Sequence, residues 1–138
     1  PLALIAVDVD HFKQFNDTFG HDAGDLVLRE VAKLMQGLSG EQIHPCRMGG
    51  EEFTLLCPDT SEDRACDLAE TLRQQVAAMQ LRFGANDLPT VTISSGIAAF
   101  PQDGRTLDLL MKLSDRALYK AKDSGRNCCA TAADLEEN

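Results

Sequence analysis

The chain opens with an apolar run, Pro1-Leu2-Ala3-Leu4-Ile5-Ala6-Val7, that passes directly into Asp8-Val9-Asp10. Residues 3–9 are apolar on both faces of an extended chain, so they read as a central strand with structure packed above and below it. The run is far shorter than the roughly 18 residues of a membrane span, and no basic-then-apolar leader is present. Side chains alternate along a strand, which puts Asp8 and Asp10 on one face and Val9 on the other. A carboxylate at the end of a buried strand is costly unless it is solvated, paired or metal-bound. Either the strand emerges into solvent at this point, or it delivers Asp8 to a site.

The rest of the chain alternates helical and strand-like periodicities without an internal repeat. A short helix is expected over about 11–19 and a longer one over about 23–38, with Leu28, Val31, Met35 and Leu38 on one face. Residues 42–47 and 51–57 flank Gly49-Gly50 as a hairpin. Thr60 and Ser61 are capping residues for a helix whose apolar positions, Ala65, Leu68, Ala69, Leu72, Val76 and Met79, recur at three and four. Residues 91–98 alternate and are β-rich. Thr106 caps a last helix carrying Leu107, Leu110, Met111, Leu118 and Ala121, which Gly125 stops. Residues 82–89 are irregular, with room for a short strand that the sequence does not place. Helices interleaved with strands, one pair of them a hairpin, predict an α/β sandwich with a mixed sheet.

Arg47-Met48-Gly49-Gly50-Glu51-Glu52-Phe53 carries the strongest hint of chemistry. Glycine tolerates positive φ and has no Cβ, so Gly49-Gly50 suits a tight turn that a bulky ligand can approach. Two carboxylates follow at once. They are either solvated residues of an ordinary hairpin or, if the turn lies beside the end of the first strand, partners of Asp8 around one hard cation. Mg²⁺ takes one or two carboxylates with phosphate oxygens and water, which matches so small a set. Glu52, one residue on, points elsewhere or reaches the metal only at the edge of the turn.

At 138 residues the chain is one domain by length. A net charge of −9 argues against a general nucleic-acid surface, which needs clustered Lys and Arg. It leaves room for a phosphorylated small molecule, since Mg²⁺ neutralises carboxylate and phosphate together. The five cysteines show no C-x-x-C spacing, so neither a disulfide framework nor a zinc site is supported. Reduced thiols and a cytoplasmic location are the expectation, without membrane contact by this segment.

Three ordered segments then resemble one family. Residues 8–25, Asp-Val-Asp-His-Phe-Lys-Gln-Phe-Asn-Asp-Thr-Phe-Gly-His-Asp-Ala-Gly-Asp, are similar to the stretch after the first strand of GGDEF-domain diguanylate cyclases. Arg47–Phe53 resembles that family's signature in its GGEEF form, and residues 118–127 resemble the end of its last helix. The resemblance implies a central mixed, mostly antiparallel sheet flanked by helices, like the palm domains of nucleotidyl cyclases and polymerases. It implies that Asp8, Glu51 and the Val9 carbonyl hold Mg²⁺, or Mn²⁺ in its place, with Glu52 in support. Glu51 would also deprotonate an attacking 3′-hydroxyl.

By the same resemblance Gly49 and Gly50 admit the phosphates, and Lys13, Lys122 and Arg126 meet their charge. Lys122 and Arg126 are equally ordinary dipole partners of a helix end. Asn16 and Asp25 would read guanine, and His21 would lie near the ribose or phosphates. From the residues alone, Asn16 reads as a turn residue, Asp25 as a first-turn helix acid and His21 as a structural histidine.

The implied function is condensation of two GTP into cyclic di-GMP, with release of two pyrophosphates, across a homodimer. The alternative is a catalytically weak or inactive module of the same family that binds GTP or regulates. Many members carry Arg-x-x-Asp shortly before the signature, where product binds and inhibits. Here Gly40-Glu41-Gln42-Ile43 has neither residue, so no feedback inhibition through that site is expected. The family also has a helix and a Leu-Thr-x-Leu-x-Asn-Arg segment before its first strand. A chain starting at the strand implies a domain separated from that helix and from an upstream sensory or dimerising module.

Overall fold

The structure is a computed structural model that describes residues 1–38 and 42–136. In chain order its elements are β1 (Leu2–Val9), α1 (Phe12–Phe19), α2 (His21–Gln36), β2 (His44–Gly49), β3 (Glu52–Pro58) and α3 (Glu62–Ala77). Then come β4 (Arg82–Phe83), β5 (Asn86–Asp87), β6 (Ile93–Phe100), α4 (Leu107–Asp123), β7 (Cys129–Thr131) and a 3₁₀ turn at Ala132–Glu136. Five strands form one sheet in the order β2-β3-β1-β6-β7. Among the described residues only the β6–β7 pair of this sheet is parallel; β1 runs antiparallel to both of its neighbours. This is the mixed sheet the pattern of elements predicts, and the mostly antiparallel one with flanking helices that the resemblance implies.

The apolar run owes its position to burial on both faces. Ala3, Ile5, Val7 and Val9 pack into the larger core with Val27, Val31 and Met35 of α2 and Leu68, Leu72 and Val76 of α3. Leu4 points to the opposite layer, where it meets Ala98 of β6 and Leu110 of α4. By that alternation Asp8 faces the α4 side. At Gly96 of β6 the sheet and α4 approach so closely that a Cβ would strike the helix backbone at Ser114 and Leu118.

Ser61 and Thr106 cap α3 and α4, their hydroxyls accepting from Arg64 N at 3.1 Å and Leu109 N at 3.2 Å. Thr60 instead donates its hydroxyl to the Pro58 carbonyl at 2.8 Å. The second helix begins at His21, two residues earlier than predicted, because Gly20 (φ 92°) already turns the chain into it. It ends at Gln36, so Leu38 lies beyond the helix while still packing on the core. The irregular stretch 82–89 holds a small hairpin, β4–β5. Residues 39–41 lie outside the described residues, so the expectation drawn from Gly40 and Glu41 does too. Among the described residues no helix is long and apolar enough to cross a membrane, and all five cysteines are free.

Candidate active site

The site forms where β1 ends. In the antiparallel register Asp8 stands opposite Glu52 of β3 on one side and Ser94 of β6 on the other. The Val9 amide donates to the Glu51 carbonyl at 3.3 Å, which ties the turn of the β2–β3 hairpin to the strand end. Gly49 (φ 147°) and Gly50 (φ 49°) make that turn, with a register shift between Arg47 and Gly49. Left-handed geometry there favours glycine, and open space surrounds both Cα atoms. Arg47 closes the turn by donating from Nε to the Gly50 carbonyl at 3.0 Å.

Asp8, Val9, Lys13, Glu51, Lys122 and Arg126 line one cavity of about 160 Å³. Lys13 gets there because His11, in the left-handed region at φ 56°, turns the chain sharply from β1 into α1. Lys122 arrives from the last turn of α4, and its ammonium donates to the Asp8 carboxylate. Burial pushes the Asp8 carboxyl up. Lys122 opposes this through its hydrogen bond and charge, while the charges of Glu51 and Glu52 add to the rise. Glu52 lines a separate cavity of about 70 Å³ with Met48, Met111 and Asp115.

Asp10 lines the same cavity as Asp8, but its carboxylate is engaged in a different set of bonds. Its carboxylate, 6% exposed, accepts from Thr92 Oγ1 and Ser94 Oγ at 2.7 Å each and from the Asn127 amide at 3.0 Å. It thereby ties the end of β1 to β6 and to the left-handed pair Arg126–Asn127 (φ 64° and 49°) that follows α4. Arg73 of α3 holds the same turn from outside, donating to Asn127 Oδ1 at 3.0 Å.

Asp25, in α2, is exposed and lines a cavity of about 470 Å³ with Leu28, Arg29, Arg47 and Phe53. Asn16 lies in α1 with its Oδ1 buried and without a hydrogen-bond partner. It rests against α2 at Gly24, one residue before Asp25. His21 opens α2 on the exposed surface. The structure thus brings Asp8, Val9, Lys13, Glu51, Lys122 and Arg126 together, sets Asp25 and Asn16 apart in the α1–α2 region, and gives Glu52 a different cavity.

Asp10, Arg47 and Gly24 fall inside the segments the sequence singles out, but their contacts at the site were not assigned from it. An Asp repeated at i, i+2 and a glycine inside an apolar helical pattern were the signals for the first and last. Nothing in the sequence distinguishes Arg47 from a solvated hairpin residue.

The carboxylates of Asp8, Asp10 and Glu51 supply oxygen donors to the cavity, and Lys122 pairs with Asp8. Such a set fits a hard divalent cation. Among the described residues no three or more His, Cys, Asp or Glu side chains gather into a preformed cage. Mg²⁺ needs none where phosphate and water complete its shell.

Comparison with known proteins places this geometry in context. The family model for the diguanylate cyclase GGDEF domain matches residues 1–128. The response regulator PleD of Caulobacter vibrioides is 42% identical over 129 residues, covering 92% of this chain and 28% of its own length. A diguanylate cyclase of Vibrio cholerae is 39% identical over 129 residues, covering 94% of this chain and 39% of its own. The chain therefore spans less than half the length of these curated relatives.

Among solved structures, the GGDEF domain of DgcB from Caulobacter crescentus, in complex with c-di-GMP, superposes with a TM-score of 0.89. It is 35% identical, with 96% of this chain and 78% of that one covered. The active GGEEF domain of a Vibrio cholerae diguanylate cyclase gives 0.87 at 37% identity, covering 95% and 82%.

Proposed function

The chain belongs to the diguanylate cyclase GGDEF-domain family, and from that footing we propose that it joins two GTP molecules into cyclic di-GMP and releases two pyrophosphates. The observation that carries this reading is the cavity in which Asp8 and Glu51 face Lys13, Lys122 and Arg126. Carboxylates and cations converging on one small opening suit a metal-bound triphosphate.

Lys13, Lys122 and Arg126 hold the phosphates, and the open glycine turn lets them lie close to the backbone. Asp25 accepts from the guanine N1–H and exocyclic amine, and Asn16 donates to a ring acceptor. Adenine lacks that donor pair and would leave Asp25 unmatched. His21 lies toward the ribose or phosphates. Asp8, the Val9 carbonyl and Glu51, with Glu52 beside them, would hold Mg²⁺, or Mn²⁺ in its place. When bound, the ion offsets triphosphate charge and lowers the pKa of the attacking hydroxyl. Glu51 takes the proton of that 3′-hydroxyl as its oxygen bonds to the α-phosphorus and the bond to pyrophosphate breaks. A second such step closes the ring.

One chain presents one such cavity, so two chains facing each other supply the two half-reactions, a homodimer acting by proximity. A sensory or dimerising module would set that encounter. Incubating a dimerised chain with GTP and Mg²⁺, and separating the nucleotides, tests the reading: cyclic di-GMP forms, and Glu51→Gln abolishes it. GTP binding without product would favour a regulatory, non-catalytic module, and undiminished synthesis by Glu51→Gln would remove that residue's role as base.

A further inference from the structure

We propose that Gly24 is a positioning residue of the base-binding region, its missing side chain being the seat that holds Asn16 in place. The inference deepens the functional reading above and rests on Asn16 being a guanine contact.

Gly24 is buried in the first part of α2, where alanine is the better helix former. Its backbone φ lies outside the left-handed region, so the turn geometry does not call for glycine. Space does. A Cβ built on Gly24 would fall on Asn16 Oδ1, far inside van der Waals contact, and would stand 2.9 Å from Asn16 Cγ and 3.1 Å from Phe12 Cζ. The Asn16 amide therefore lies directly against the α2 backbone.

Its Oδ1 is buried there without a hydrogen-bond partner, an arrangement that core packing alone does not favour. With one end of the amide seated on α2, the other end is left for a ligand. The seat also fixes Asn16 relative to Asp25, the next residue of the same helix, so both groups assigned to the base are registered by one stretch of backbone. A methyl group at Gly24 pushes Asn16 out of that register without touching Lys13, Lys122 or Arg126.

The test measures binding of GTP and of inorganic tripolyphosphate to the chain, to Gly24→Ala, to Asn16→Ala and to the double variant, with thermal melting of each by circular dichroism. Gly24→Ala is expected to keep its helix content and its tripolyphosphate affinity and to bind GTP about tenfold more weakly, the equivalent of one hydrogen bond. The double variant should bind GTP no more weakly than Asn16→Ala. If Asn16→Ala weakens GTP binding and Gly24→Ala does not, the seat is refuted while the role of Asn16 stands. If Asn16→Ala binds GTP normally, the base-reading role itself fails. Helix content lost in Gly24→Ala and not regained in the double variant would also overturn the proposal, leaving contact with Phe12 as the reason for the glycine.

Discussion

The ammonium of Lys122 and the carboxylate of Asp8 are joined although 114 residues separate them in the chain. The Asp8 side chain is 5% exposed and that of Lys122 is 29%, so the anion is the desolvated member of the pair. Glu51 and Glu52 add repulsion from the hairpin side, and the Asp8 carboxyl sits above its ordinary range. Lys122 offsets only part of that cost. A charge kept where burial disfavours it points to use rather than to stability.

Asp8→Asn removes that charge and keeps the shape. The melting temperature is expected to stay level or to rise, by up to about 1 kcal/mol of stability, while cyclic di-GMP synthesis disappears. A clear fall in melting temperature would show that the Asp8–Lys122 pair supports the fold.

Asp10→Ala acts in the opposite sense. It strands the hydroxyls of Thr92 and Ser94 and the Asn127 amide, which share that one carboxylate. A loss of about 2–4 kcal/mol in urea unfolding is expected. Tripolyphosphate should also bind less well, because Arg126 precedes the freed Asn127. Full stability in this variant would mean that water replaces the carboxylate.

Arg73→Ala has a pH signature. Arg73 donates to Glu70 and holds its carboxyl below the ordinary 4.5. A carboxyl lowered in the folded state adds stability above its unfolded pKa and loses it as pH falls through the folded value. The Glu70 side chain is 46% exposed, so solvent screening holds its share to about 0.5 kcal/mol. The gap between parent and variant in denaturant unfolding should therefore shrink when pH drops below about 4.5. A gap that is constant with pH would assign the effect to the Arg73–Asn127 bond alone.

Gly96→Ala should be the most damaging of these changes. Its Cβ would stand 2.8 Å from the carbonyl carbon of Ala117 and closer still to Ser114 O and Leu118 N, all backbone atoms. Neither β6 nor α4 can yield without parting, so a loss of about 3 kcal/mol or more is expected, read as soluble yield and helix content.

The layers of the fold were legible because residues 3–9 state their burial outright and the helices repeat their apolar positions at three and four. The caps at Ser61 and Thr106 were legible for the same local reason. Short elements were not: β4, β5 and β7 run two or three residues, too few for a period, and exist only through their neighbours. At the site, Asp8 and Glu51 could be paired on paper because strand end and hairpin are both local signals. That Asp10 serves the Asn127 turn, and that Asn16 rests on Gly24, depends on packing between elements, which spacing along the chain does not encode.

The order β2-β3-β1-β6-β7 has a mechanical corollary. Asp8 belongs to the strand with partners on both sides and a layer on each face, the setting in which amides are best protected. Glu51 hangs from a hairpin whose outer strand is the sheet margin and is mostly exposed. Hydrogen exchange would rank the two segments at opposite ends of the scale. The two carboxylates of one cavity therefore rest on backbone of very unequal burial, joined by the Val9–Glu51 bond.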